Sequence, residues 1–316
     1  MILDGYQAIK LKKFQIKELA LTSRALKNNP LKDPAKRHMP ILVPKQPKAV
    51  VWVLAGFSGN GPNYLNLRGF EANFAQNLES WKDAPEAVYV FVDAWSKIGG
   101  SQFINSKGVG RYEDYIVEDL YPVINTAFPN LKHAIMGGSS GGYGALHLAS
   151  KYPLLFTYCG AIAPDAGFES LFLPEFYKTA PYFLKNKVSI NKIADLMERR
   201  DWHSILNVYG MSLCYSNGKI PFDFYTGQLI QSEWKKWLAL DPVHFLPKRK
   251  AALKKIKGLY LEVGNKDQFH LQFGVRQIHA FLKTQRIKHH YQEFSGNHFD
   301  LSTRREGFLS WLNKNI

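Results

Sequence analysis

Cysteine is nearly absent from this 316-residue chain, with Cys159 and Cys214 its only two. Two thiols cannot build the disulfide framework of a small secreted scaffold, and they lack the paired spacing of a zinc site, so both read as plain buried thiols. No run approaches the roughly 18 apolar residues of a membrane span. The opening Met1-Ile2-Leu3-Asp4-Gly5-Tyr6 has no charged-then-apolar layout of a secretory signal. A soluble, cytoplasmic chain is expected. Internal repeats and low-complexity tracts are missing too. Acid is the scarcer charge: 26 Asp and Glu against 41 Lys and Arg leave a net +15. Such a balance suits nucleic acid, anionic lipid or acidic substrates. The basic residues are scattered, however, and clusters such as Lys248-Arg249-Lys250 and Lys254-Lys255 are broken by apolar neighbours, as on a solvated helix face. No helix-turn-helix, finger or RNA-binding signature accompanies them, so no nucleic-acid partner is expected.

What is present is core-forming material, 46% hydrophobic and 14% aromatic, enough for one elaborated α/β domain. Val50-Val51-Trp52-Val53-Leu54-Ala55 and Ala87-Val88-Tyr89-Val90-Phe91-Val92 are unbroken apolar runs rich in β-branched and aromatic residues. Strands covered on both faces of a parallel sheet have this composition. His133–Met136 and Thr157–Ala163 repeat it, and helical patterns over Tyr112–Thr126 and Tyr143–Lys151 separate the strands. Earlier, Pro40-Ile41-Leu42-Val43-Pro44 reads as an edge strand, since proline is tolerated at strand ends and edges. After Pro164 the alternation stops for about ninety residues, roughly 165–255, crowded with aromatics from Phe168 to Trp237. It resumes as strand Gly258–Val263, helix Gly274–Thr284, strand His290–Phe294 and a closing helix through Trp311.

The sharpest signal is Met136-Gly137-Gly138-Ser139-Ser140-Gly141-Gly142-Tyr143-Gly144-Ala145-Leu146, where a strand gives way to a helix within a few residues. G-x-S-x-G needs small residues two before and two after the serine, because the strand-to-helix turn is too tight for side chains there. Two frames fit, Gly137-Ser139-Gly141 and Gly138-Ser140-Gly142. Ser139 is preferred: its frame starts directly after the last apolar strand residue and leaves the Ser140 N–H as an oxyanion donor. A phosphate-cradling loop is the weaker reading, since Gly56-Phe57-Ser58-Gly59-Asn60-Gly61 continues with Pro62 rather than Lys, and no G-x-G-x-x-G is present.

A serine hydroxyl needs a base, and in hydrolases built on this elbow the order is Ser, then Asp or Glu, then His. Among the late histidines, His279 falls inside an amphipathic helix, while His289 and His290 precede their strand, at the wrong end of a parallel sheet. His298 follows the last strand, on the same edge as Ser139. Asp267 follows the penultimate strand and would orient the imidazole. Asp165, after an earlier strand, is the second choice, and Asp300 is too close to His298 in sequence. The second oxyanion donor is expected on the loop after the first central strand, at the Phe57 N–H. No metal cluster, flavin or nucleotide motif stands out, so no cofactor and no metal are expected.

With these residues placed, the chain resembles the esterase family of α/β-hydrolases that includes esterase D (S-formylglutathione hydrolase), enterochelin-type and feruloyl esterases, and mycolyltransferases. The likeness runs from about residue 24. It is carried by Leu54-Ala55-Gly56-Phe57-Ser58-Gly59, Ser139-Ser140-Gly141-Gly142-Tyr143-Gly144-Ala145-Leu146, Gly264-Asn265-Lys266-Asp267-Gln268-Phe269 and Gly296-Asn297-His298. It implies a catalytic triad with the nucleophile at Ser139 and the acid at Asp267. The chain departs from many members in having Ala55 where they have His, and in its large insertion.

The expected fold class is α/β, an α/β-hydrolase fold with a mostly parallel central sheet, helices on both faces and a helical, aromatic-rich insertion. The expected organisation is an N-terminal extension with edge strands over 1–48 and the hydrolase domain over 49–316, with a candidate cap at about 165–255. The expected activity is serine hydrolysis of carboxylic or thio esters, with a small-molecule ester as substrate. An acyltransferase using the same triad and a non-catalytic binding protein are the alternatives.

Overall fold

The unbroken apolar runs become the centre of one large sheet. The computed structural model describes residues 9–67 and 69–316, so the opening Met1–Tyr6 lies outside the described residues. Eight strands form the sheet in space in the order β1-β2-β4-β3-β5-β6-β7-β8. They are β1 (Phe14–Thr22), β2 (Lys36–Pro44), β3 (Ala49–Leu54), β4 (Ala87–Phe91), β5 (Lys132–Gly138), β6 (Tyr158–Ile162), β7 (Gly258–Gly264) and β8 (His290–Phe294). From β4 to β8 every neighbouring pair is parallel, while β1 and β2 join antiparallel. Every residue of β3, β4, β6 and β7 is buried, as a sheet covered on both faces requires.

Helices supply that cover. In chain order they are α1 (Phe74–Ser80), α2 (Tyr121–Ala127), α3 (Ser140–Lys151), α4 (Phe168–Phe183), α5 (Ile193–Met197), α6 (Trp202–Ser216), α7 (Gln231–Leu240), α8 (Pro242–Lys248), α9 (Lys250–Leu253), α10 (Leu271–Thr284) and α11 (Arg305–Asn315). Phe74 of α1 and Phe308 and Leu312 of α11 fill one apolar layer, and α3, α4, α6 and α10 contribute to the larger layer opposite. The run at 112–127 enters α2 through a π-helical segment, Tyr115–Leu120.

One sequence expectation is corrected. The stretch Pro40–Pro44 is not at the sheet edge: β2 lies between β1 and β4, and β1 is outermost. Pro40 and Pro44 stand opposite Glu18 and Phe14 in the ladder with β1 and outside the short ladder with β4, which pairs only Ile41↔Val90 and Leu42↔Tyr89. The segment at 165–255 holds six helices, α4 to α9, and most of its aromatics pack on one another: Phe172 lies 4.9 Å from Trp237 and Phe176 5.3 Å from Phe222, ring centre to ring centre.

Candidate active site

The carboxyl ends of β3, β5, β6, β7 and β8 bring the site together. Strand β5 is central, and at its end the chain turns at once into α3, with Ser139 at φ 56°, ψ −127° as the pivot. That conformation costs a non-glycine residue on the order of 1–3 kcal/mol and persists only where the surroundings enforce it. The enforcement is close packing. A Cβ on Gly137 would run into the Gly141 backbone, and one on Gly141 into the Leu54 carbonyl of β3. These are the two glycines of the Ser139 frame, which is why the turn selects that frame. Ser140 is 4% exposed and turns its hydroxyl inward to Asp165 Oδ2 at 2.7 Å.

Ser139 Oγ lies 3.1 Å from His298 Nε2, and His298 Nδ1 lies 2.7 Å from Asp267 Oδ2. The Asp267 side chain is fully buried and that of His298 is 11% exposed. Asp267 sits on the turn after β7, where its Oδ1 also accepts from the Phe269 N–H at 2.9 Å. The three residues chosen from the sequence therefore converge. Asp165, the second-choice acid, does not touch His298. It lies on the other side of the serine, its Oδ1 3.2 Å from Ser139 Oγ, and takes a further bond from Gln102 Nε2 at 3.2 Å. Burial raises its pKa, opposed by hydrogen bonds from Ser140, Gln102 and Ser139 and by the charge of His298. Asp300, set aside as too close, caps its own turn by accepting the Asn297 N–H at 2.8 Å.

The loop after β3 runs alongside Ser139: a Cβ on Gly56 would stand 3.5 Å from Ser139 Cβ. Phe57 and Ser140, the expected oxyanion donors, both line the cavity that opens over Ser139 and His298, of about 780 Å³. Its walls are apolar at Val53, Met136, Ile162, Leu171 and Phe269, and the insertion contributes Glu175, Lys178, Trp202 and His203. Burial lowers the His203 pKa, and the ring packs beside Phe57 and Phe269, whose centres lie 5.7 and 6.1 Å away.

The turn carrying His298 is held differently. Its 3₁₀ segment His298–Arg304 contains no buried residue. Three polar pins fix it: the Asn297/Asp300 capping box, the His298 N–H to Gln268 Oε1 at 2.8 Å, and Arg304 Nε to Glu262 Oε1 at 2.6 Å. Glu262 is a fully buried carboxylate on β7 that also accepts from Tyr260 Oη at 2.6 Å. Away from the site, Glu169, Asp241 and His244 bring three ligand-type atoms within 4.8 Å of one another, but Asp241 already accepts the N–H groups of Gly167, Phe168 and Val243.

Compared with known proteins, residues 38–303 match the family described as Putative esterase. The chain belongs to that family. It is an ester hydrolase. Among solved structures, it is similar to a fluorophosphonate-binding serine hydrolase of Staphylococcus aureus (14% identity, 96% of this chain and 99% of that one, TM-score 0.63). It is also similar to an S-formylglutathione hydrolase of Agrobacterium tumefaciens (15%, 98% of each chain, 0.58), and to MPT51 of Mycobacterium tuberculosis (14%, 96% and 99%, 0.58). At such identities the likeness is one of fold. No curated protein matches the sequence. Among the described residues, no helix of the esterase is long and apolar enough to cross a membrane.

Sequence reasoning missed Gln102, Gln268, Glu262 and Arg304 as parts of this site. Gln268 alone carried a signal, since it follows Asp267 directly; the others are brought in by pairings that no local pattern encodes.

Proposed function

We propose that the esterase works through an acyl-enzyme on Ser139, with His298 as general base and Asp267 as the group that orients it. The observation that carries this reading is the unbroken line from Asp267 Oδ2 through His298 to Ser139 Oγ, with contacts of 2.7 and 3.1 Å. Ser139 Oγ attacks the ester carbonyl as its proton passes to His298 Nε2. Asp267, buried against Nδ1, favours the imidazolium that forms. When the tetrahedral intermediate collapses, the imidazolium gives the proton to the leaving alcohol. Water then attacks the acyl group, losing its proton to His298, and the acid departs as Ser139 recovers its hydrogen.

The developing oxyanion is assigned to the backbone N–H groups of Phe57 and Ser140. Ser140 opens α3, where the first N–H groups of a helix have no intrahelical acceptor, and the helix N-terminus favours negative charge. Two such donors lower the barrier by several kcal/mol, as loss of one elsewhere costs ~2.7–4 kcal/mol. The insertion at 165–255 acts as a cap, a role supported by the ten residues it lends to the cavity wall, Trp202 and His203 among them. A cytoplasmic location is proposed with it, supported by two cysteines that are free and buried rather than paired. The experiment is turnover of 4-nitrophenyl butyrate: Ser139→Ala protein should be inactive, and hydrolysis at the wild-type rate would refute the reading.

A further inference from the structure

A second cavity, a groove of about 790 Å³, adjoins the one over Ser139. The two share the walls Gly56, Phe57, Ser58, Tyr64, Ser302 and Arg305, so an ester held at Ser139 can extend into both. Their linings differ in chemistry. Around Ser139 the wall carries an apolar stretch, Val53, Met136, Ile162, Leu171, Phe269 and Leu301. The charged Glu175, Lys178, Arg200 and Asp201 of the insertion also line it. The groove is lined by five asparagines, Asn60, Asn63, Asn66, Asn73 and Asn77, together with Trp81, the carboxylates Glu71 and Glu306, and Arg305. All five fall within an eighteen-residue stretch, 60–77.

These amides fall into two sets. Asn73 and Asn77 build the wall: Asn73 caps α1, and their Nδ2 groups bond the Leu65 and Ala72 carbonyls at 3.1 and 3.4 Å. Asn60, Asn63 and Asn66 form a ladder along the groove. Asn60 Oδ1 accepts the Asn63 N–H at 2.9 Å, and Asn63 Oδ1 accepts from Asn66 Nδ2 at 3.3 Å. Asn63 and Asn66 are exposed. Each amide can donate two hydrogen bonds and accept two, so the ladder keeps capacity of both kinds facing the groove. Hydroxyl groups, which also donate and accept, match such a surface. A phosphate would call for clustered cations, yet the one cationic side chain among the described lining residues, Arg305, lies over the rings of Tyr64 and Phe74. An aliphatic alcohol would displace water from the amides without returning a hydrogen bond.

We infer that the groove binds the alcohol half of the substrate and that this alcohol is a neutral polyol, with the apolar acyl half in the cavity over Ser139. The inference rests on Ser139 being the nucleophile. Trp81, partly exposed, adds an aromatic residue to the groove wall.

The test holds the acyl group constant. Wild-type protein is assayed with methyl hexanoate, 1-monohexanoylglycerol and 6-O-hexanoylglucose, following release of hexanoate, and the same ratios are measured for an Asn63→Ala/Asn66→Ala double variant, both positions being exposed. The expected result is a kcat/KM for a polyol ester about tenfold above that of methyl hexanoate, arising in KM, with the ratio collapsing toward one in the double variant as two net hydrogen bonds are lost. Preference for the glucose ester identifies a sugar, and preference for the glycerol ester a glyceride. A wild-type ratio of one or less, or a ratio that survives in the double variant, overturns the groove assignment while leaving Ser139 chemistry intact. Failure of the wild type on all three esters, with Ser139 inert to a fluorophosphonate, overturns the catalytic reading and the groove with it.

Discussion

Ser139 and His298, the proposed nucleophile and base, are held by opposite means. Ser139 stands on a central strand and at the head of a helix whose residues from Ser140 to Ser150 are all buried, in a turn so close that added methyl groups on Gly137 or Gly141 would meet backbone. His298 stands on a turn with no buried residue, fixed by hydrogen bonds and one ion pair. Apolar packing makes the first element rigid at the price of tolerating no bulk. Polar pins make the second precise yet open to the cleft, which suits the proton transfers proposed for its ring. Damage to the elbow should therefore register first in folding, and damage to the histidine turn in turnover.

The largest effects come from the reacting groups themselves. Ser139→Ala and Asp267→Asn should each lower kcat by on the order of 10⁴, read with 4-nitrophenyl butyrate, while thermal melting stays near wild type. Gly141→Ala breaks the other side of the comparison: the methyl group must push into the Leu54 carbonyl, so the protein should lose soluble expression or melt at a much lower temperature. A melting curve unchanged from wild type would contradict the packing account.

Next comes Arg304. Its guanidinium pairs with buried Glu262 and lies 4.8 Å over the Phe294 ring. Arg304→Ala should reduce kcat about 10–100-fold with little change in KM, since a displacement of about 1 Å costs that much, and Arg304→Lys should recover part of the loss. Equal falls in kcat and in the amount of folded protein would mean that the pair serves the fold alone.

A smaller effect is set by pH on the elbow strand. His133 of β5 is buried, its Nδ1 accepting from Trp52 Nε1 at 3.0 Å, and burial pushes its pKa down from 6.5 to about 4. The unfolded chain then binds this proton more readily than the folded one. Stability should be intact above pH 6.5 and decline between 6.5 and about 4, by up to about 1.4 kcal/mol per pH unit from this group. Chemical denaturation across that range should show a shallower slope in His133→Asn; an identical slope would remove His133 from the account. Smallest of all, Trp202 lines the cavity whereas Trp237 is fully buried in the insertion's own core, so a covalent phosphonate should alter the fluorescence of a Trp237→Phe protein more than that of a Trp202→Phe protein.

The same contrast explains what could be read in the sequence. The elbow was legible because glycine spacing and unbroken apolar runs are local records of close packing. Asp267 and His298 were legible because a parallel sheet puts the ends of consecutive strands on one edge, so their place after β7 and β8 was enough. Gln102, Glu262 and Arg304 were not, since a polar pairing across 38 or 42 residues leaves no periodicity. Asp165 was seen as a candidate acid, but sequence position could not tell which side of Ser139 it faces. The edge reading of Pro40–Pro44 went astray because a further strand, β1, pairs along the whole length of β2 and takes the edge in its place.

The central claim is that Ser139, and not its neighbour, is the nucleophile. Treating wild-type, Ser139→Ala and Ser140→Ala proteins with a fluorophosphonate and reading intact mass tests it most directly. The account predicts one adduct on wild type and on Ser140→Ala and none on Ser139→Ala; an adduct that disappears only with Ser140, or no adduct on wild type, would contradict it.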